Sequence, residues 1–159
     1  MIRPAPIRAG ERAPDFSLPA VDTDGSQLTV SMGEACRQGK VMLVFYQDDG
    51  MPVCTRELKA IAQEFDLLTG AAVRVFGINT NGLGSHEKFQ ERDRYPFPLI
   101  SDFFAEAVKP YGFWDPDEKK SRRAVVIVGR DSVVEYVLPH FNPDNLNGFE
   151  EIFNALGLV

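Results

Sequence analysis

The chain holds two cysteines, Cys36 and Cys54, and the setting of Cys54 is the one that could make a sulfur reactive. Cys54 follows an apolar run, Val41 to Tyr46, and a loop from Gln47 to Val53 that contains Asp48, Asp49, Gly50, Met51 and Pro52. Beyond it Leu58, Ile61, Ala62, Phe65 and Leu68 recur at spacings of three and four, the period of a helix. Strand, loop and helix together put Cys54 in the first turn of the helix. There the unpaired backbone N–H groups and the positive end of the helix dipole stabilise an anion. A thiol so placed is biased toward thiolate, the nucleophilic form. Asp48 and Asp49 oppose this, because nearby carboxylates disfavour a further negative charge. Arg56 and a second arginine later in the chain would have to offset them. A cysteine without such a setting reads as an inert core atom, and Cys36 is read that way.

Other chemistries find less support. His86 and His140 are far apart with no ligand spacing, so each reads as a surface or capping residue, and neither a metal nor a cofactor is expected. No Cys-x-x-Cys is present, which argues against a disulfide reductase. Cys36 precedes the central strand and Cys54 follows it. A strand of that length holds its ends about 20 Å apart, whereas a disulfide needs Cα atoms within about 7 Å.

With 159 residues, 44% of them hydrophobic, the chain can bury one full core, and a single domain over residues 1–159 is expected. A net charge of −6 argues against nucleic acid or an anionic membrane as partner. No apolar run approaches the ~18 residues of a membrane span, and the first residues lack the apolar region of a secretory signal. Two cysteines do not make a disulfide framework, so a reducing cytoplasm is the expected compartment.

The elements that must position Cys54 follow in order. Phe16 to Val30 reads as a hairpin about Asp22-Thr-Asp-Gly25. Ser31 to Gly39 reads as a short helical turn. The helix from Cys54 should stop near Thr69-Gly70. Residues 72–78 form a strand of the buried β-branched kind, followed by a loop to Gly84 and a helix from Ser85 to about Arg94. Leu99-Ile100 is a short strand, 103–108 a short helix, and 111–120 a polar loop. Strands at 123–128 and 133–138 are joined by Gly129-Arg-Asp-Ser132. A closing helix, 145–156, presents Leu146, Phe149, Ile152, Phe153 and Leu156 on one face. This alternation describes an α/β domain with a central mixed sheet flanked by helices.

The order of elements, with the cysteine after the first core strand, is that of a thioredoxin-like fold, and several motifs resemble those of the peroxiredoxins. These are Gly10-x-x-Ala13-Pro14-Asp15-Phe16; Phe45-Tyr46 followed by Pro52-Val53-Cys54-Thr55-x-Glu57; Ser85-His86-x-x-Phe89; Phe97-Pro98-Leu99-Ile100-Ser101-Asp102; and Tyr111-Gly112. Their order and spacing resemble the AhpC/TSA-type thiol peroxidases, of the one-cysteine or bacterioferritin-comigratory branch, over nearly the whole chain. The resemblance implies that Cys54 attacks a peroxide and becomes a sulfenic acid that an external thiol reduces. It implies that Arg123 holds the thiolate and peroxide, that Glu57 orients Arg123, and that the backbone N–H groups of Val53 and Cys54 supply further donors. Tyr46, Met51 and Val53 would line the substrate site, and a homodimer is expected. Two positions depart from the pattern Pro-x-x-x-Thr-x-x-Cys: Gln47 stands for the proline and Met51 for the threonine. A lost hydrogen bond to a charged group is worth roughly 1.5–3 kcal/mol, or about 10- to 150-fold in rate. The second cysteine of the related two-cysteine pattern would fall at Lys59, which leaves a one-cysteine mechanism. The alternative reading is a thioredoxin-like binding or redox-sensing protein with little peroxidase activity, since fold does not fix function.

Overall fold

The computed structural model describes residues 3–158. Seven strands form one mixed sheet in the order β2-β1-β5-β4-β3-β8-β9. These are β1 (Ser17–Val21), β2 (Gln27–Ser31), β3 (Lys40–Phe45), β4 (Val73–Asn79), β5 (Leu99–Ser101), β8 (Ala124–Val128) and β9 (Val134–Leu138). A separate two-stranded ribbon pairs β6 (Trp114–Asp115) with β7 (Lys120–Ser121). β3, β4 and β5 run parallel, while β8 pairs antiparallel with β3 and β1 antiparallel with β5.

The pleat of β3 explains its unbroken apolar sequence. Val41, Leu43 and Phe45 join one core, with Cys36, Tyr111 and Phe113, while Met42, Val44 and Tyr46 join the other, with Cys54, Leu58 and Phe89. A strand covered on both faces has no polar side to display. Helix α1 (Met32–Gln38) belongs to the first core, and α2 (Pro52–Gln63) and α6 (Leu146–Ala155) bury their apolar stripes in the second. The side chain of Leu146 lies outside the described residues. Among those residues no helix is long and apolar enough to cross a membrane.

Three local expectations are corrected. The helix carrying Cys54 begins at Pro52 and breaks at Glu64, so that α3 (Phe65–Gly70) is a separate turn. Residues 103–107 form turns, and the helix α5 spans Val108–Tyr111. Its start is delayed because the Asp102 carboxylate accepts hydrogen bonds from the backbone N–H groups of Glu106, Ala107 and Val108, a local competition with helix formation. Finally, the polar stretch 111–120 contains one strand of the β6–β7 ribbon and the start of the other.

Candidate active site

Pro52 occupies the first helical position of α2, where its missing N–H is no loss and its fixed φ suits the helix. Met51 is the N-cap residue, and its side chain makes no capping bond. The first backbone bond of the helix runs from Thr55 N–H to Met51 O, at 2.8 Å. The N–H groups of Val53 and Cys54 lie ahead of that bond, at the end where a helix offers free donors.

Cys54 itself is fully buried. Its Sγ accepts a hydrogen bond from the Gln47 N–H at 3.4 Å, and its S–H donates to Met51 Sδ at 3.7 Å. Burial pushes the Cys54 thiol above its usual value, and an ionised Glu57 adds to this. The backbone N–H groups of Asp48 and Gln47 and the charge of Arg123 pull the other way without prevailing. The expected bias toward thiolate is therefore corrected: removal of the sulfur from water outweighs the donors around it.

The two aspartates act differently from expectation. Asp48 pairs with Lys120. The Asp49 carboxylate turns inward and accepts hydrogen bonds from Tyr46 Oη (2.7 Å), Ser85 Oγ (2.7 Å), His86 Nδ1 (2.6 Å) and Asn79 Nδ2 (3.3 Å). Burial alone would raise the Asp49 carboxyl, but these donors, His86 foremost, hold it below the usual carboxylate value. His86 is correspondingly not a surface residue: it is fully buried in helix α4 (Leu83–Asp93). Its Nε2 lies 2.9 Å from the carbonyl oxygen of Ile100, which can only accept. Both ring nitrogens of His86 are thus in hydrogen-bond contact with an oxygen, one with the Asp49 carboxylate and one with a backbone carbonyl. His140 is exposed.

Arg123 emerges just before β8, beside the loop that follows β3. Its Nη1 donates to Gln47 Oε1 at 2.8 Å and its Nε to the Phe141 carbonyl at 3.3 Å. Glu57, on the buried side of α2, does not hold it. Both Glu57 oxygens are buried without a hydrogen-bond partner, and burial pushes this carboxyl well above its usual range, the charge of Arg123 only partly offsetting that. The orienting role expected of Glu57 thus falls to Gln47 and Phe141, because their oxygens reach the guanidinium. Arg56, expected to offset the aspartates, is exposed and pairs with Asp144 at 3.1 Å. Tyr46 is fully buried with its hydroxyl committed to Asp49, so it packs behind the loop and does not face a substrate. An open cleft of about 400 Å³ lies beside the site, lined by Gln47, Arg122, Arg123, His140, Phe141 and Asn142.

The structure thus brings Cys54, Met51, Val53 and Arg123 together and adds Gln47, which the sequence marked only as a departure. It also adds the buried network around Asp49. The sequence signal for that network was a pair of aspartates just after a buried strand and a serine–histidine pair opening a helix. Matching them required the register of β3, β4 and β5.

Thiol, helix N-terminus and arginine lie together at one end of the central strands of a thioredoxin-like domain. The sequence profile described as the AhpC/TSA family matches residues 9–137, and the chain belongs to that family. It is 29% identical over 146 residues to peroxiredoxin Bcp of Escherichia coli K12, covering 88% of this chain and 90% of that one. It is 28% identical over 144 residues to a putative peroxiredoxin Bcp of Coxiella burnetii, covering 87% and 92%. Peroxidoxin BcpB of Mycobacterium tuberculosis superposes with a TM-score of 0.81 at 23% identity, covering 96% of this chain and 98% of that one. The reduced 2-Cys peroxiredoxin of Plasmodium vivax superposes with 0.84 at 23% identity, covering 95% and 97%. The thioredoxin-like fold expected from the sequence is therefore present, and the chain is a peroxiredoxin-type enzyme.

Proposed function

We propose that this chain reduces hydrogen peroxide or organic hydroperoxides through a sulfenic acid on Cys54, by a one-cysteine mechanism. The observation that carries the reading is the convergence on one sulfur of the α2 N-terminus, the Gln47 amide and Arg123. The Cys54 thiolate attacks the distal peroxide oxygen, the O–O bond breaks, and water or alcohol leaves after taking up a proton. An external thiol then reduces the sulfenic acid. Cys36 sits in the opposite core, before β3, and both cysteines are free, which favours a reductant from outside the chain. A cytoplasmic setting and a homodimer belong to this proposal. In support of the dimer, Phe103 and Phe104 are 63% and 77% exposed and stack edge to face, an unusual display of apolar surface.

The test is stoichiometric peroxide followed by trapping of sulfenic acid with dimedone and mass mapping. A label on Cys54, absent in Cys54→Ser, is expected; no label and no peroxide consumption would sink the proposal. The buried, raised thiol and Met51 at the threonine position favour one rival, a redox-sensing or binding protein. An oxidation rate of Cys54 no faster than that of a free thiol would decide for that rival.

A further inference from the structure

The chain positions of Gln47 and Arg123 follow from strand pairing. β3 and β8 are antiparallel with Phe45 opposite Ala124, so the chain beyond β3 and the chain before β8 emerge side by side. The Tyr46 N–H bonds the Ile78 carbonyl at 3.1 Å, extending the ladder by one rung and fixing where Gln47 begins the loop. The loop then folds back, with Met51 N–H to Asp48 O at 3.4 Å, and returns Cys54 to the Gln47 amide.

We propose that Gln47 is a positioning residue for the chemistry of Cys54, its backbone N–H donating to Sγ while its side-chain carbonyl fixes Arg123. The inference rests on reading Cys54 as the reacting group. Two contacts support it, the 3.4 Å N–H···S bond and the 2.8 Å bond from Arg123 Nη1. They involve different parts of one residue and converge on the same reaction. A proline at position 47, the residue of the pattern this chain resembles, has no N–H and no side-chain acceptor. At position 51 a methionine offers the sulfur an acceptor only. The donor absent at Met51 is therefore replaced by the amide of Gln47. With Nε and Nη1 each bonded once, the guanidinium keeps N–H groups for a peroxide oxygen.

Gln47→Pro and Gln47→Ala separate the two roles. Gln47→Ala keeps the N–H and loses the carbonyl. It should shift the ionisation midpoint of Cys54, read by pH-dependent alkylation mapped to that residue, by less than Gln47→Pro does, since only the hold on the Arg123 charge is loosened. Its peroxide oxidation rate, compared at equal thiolate fraction, should fall about ten-fold, the low end of what a hydrogen bond to a charged group contributes. Gln47→Pro should in addition raise the midpoint by about one to two units. A measurement on the unmodified chain guards against a proline variant that fails to fold. The Gln47 amide proton resonance should move downfield as Cys54 ionises, and stay still in Cys54→Ser. Equal midpoints in all three proteins, a midpoint raised as much by alanine as by proline, or a Gln47 resonance indifferent to Cys54 would each overturn the inference. A wild-type Cys54 that ionises with this signature yet does not react with peroxide would instead overturn the peroxidase reading.

Discussion

Cys54 is pulled toward the thiol by burial and toward the thiolate by a few well-placed donors, so small changes around the sulfur should have large effects. Met51→Thr tests this most directly. At an N-cap, a threonine oxygen can accept from the first-turn N–H groups while its O–H donates to the sulfur. The variant should lower the Cys54 pKa, quicken peroxide oxidation by up to about 10- to 150-fold, and gain about 1 kcal/mol in denaturant unfolding. An unchanged rate and pKa would mean that the Met51 position does not address the sulfur. Glu57 gives a second test. Its folded pKa is raised well above the usual 4.5, so the folded state holds a proton that the unfolded state releases. The stability linked to that proton is complete below about pH 4.5 and is lost as pH rises toward the folded pKa, by up to about 1.4 kcal/mol per unit. Glu57→Gln should abolish that slope: urea unfolding at pH 5 and pH 8 should show the variant gaining on the wild type at the higher pH.

The loop that delivers Cys54 is anchored by the Asp49–His86 pair, which ties it to α4 and, through Ile100, to β5. The pair is 5% and 0% exposed, and altering one partner of such a buried pair leaves the polar groups of the other without their match. Asp49→Asn should therefore destabilise the fold by about 3–5 kcal/mol at neutral pH. Because the Asp49 pKa is lowered from 3.8, its contribution is present above that value and fades as pH falls through the folded one. The gap between variant and wild type in thermal unfolding should thus shrink in acid. This network also marks how much the sequence could reveal. β3 and β4 announced themselves as apolar runs, and the helix through Leu58 and Ile61 by its spacing, since burial imposes those patterns directly. The β6–β7 ribbon was not visible: its strands hold Trp114-Asp115 and Lys120-Ser121, too short for any period to register. α5 was misplaced because a single side chain, Asp102, reorganised its start. In the candidate site, Cys54 was singled out from its sequence setting and Arg123 from the family resemblance, but the hydrogen-bond partner of Arg123 was not foreseen. Glu57 has helical proximity to Cys54, whereas Gln47 approaches Arg123 only through strand pairing.

Across the molecule, the most exposed large apolar side chains among the described residues are Phe103 and Phe104, in the turns after β5. If these seat a second copy, the wild type should sediment at twice its 17.7 kDa, and Phe104→Glu should sediment as a single chain with its far-UV spectrum unchanged. A wild type that sediments as one chain at micromolar concentration would remove the dimer from the proposal. The sheet imposes another constraint on the whole chain. Cys36 and Cys54 lie in the two different cores, one before β3 and one after it. Under the proposed one-cysteine mechanism, the electrons that reduce an oxidised Cys54 arrive from another chain or a small thiol. On that proposal each molecule stores the two-electron oxidation of one peroxide and has no internal thiol against which to discharge it. In the absence of thiol, peroxide uptake should show a fast phase that ends at one equivalent per chain. In its presence, the lifetime of the oxidised state should be set by the supply of reductant and not by any motion of the protein.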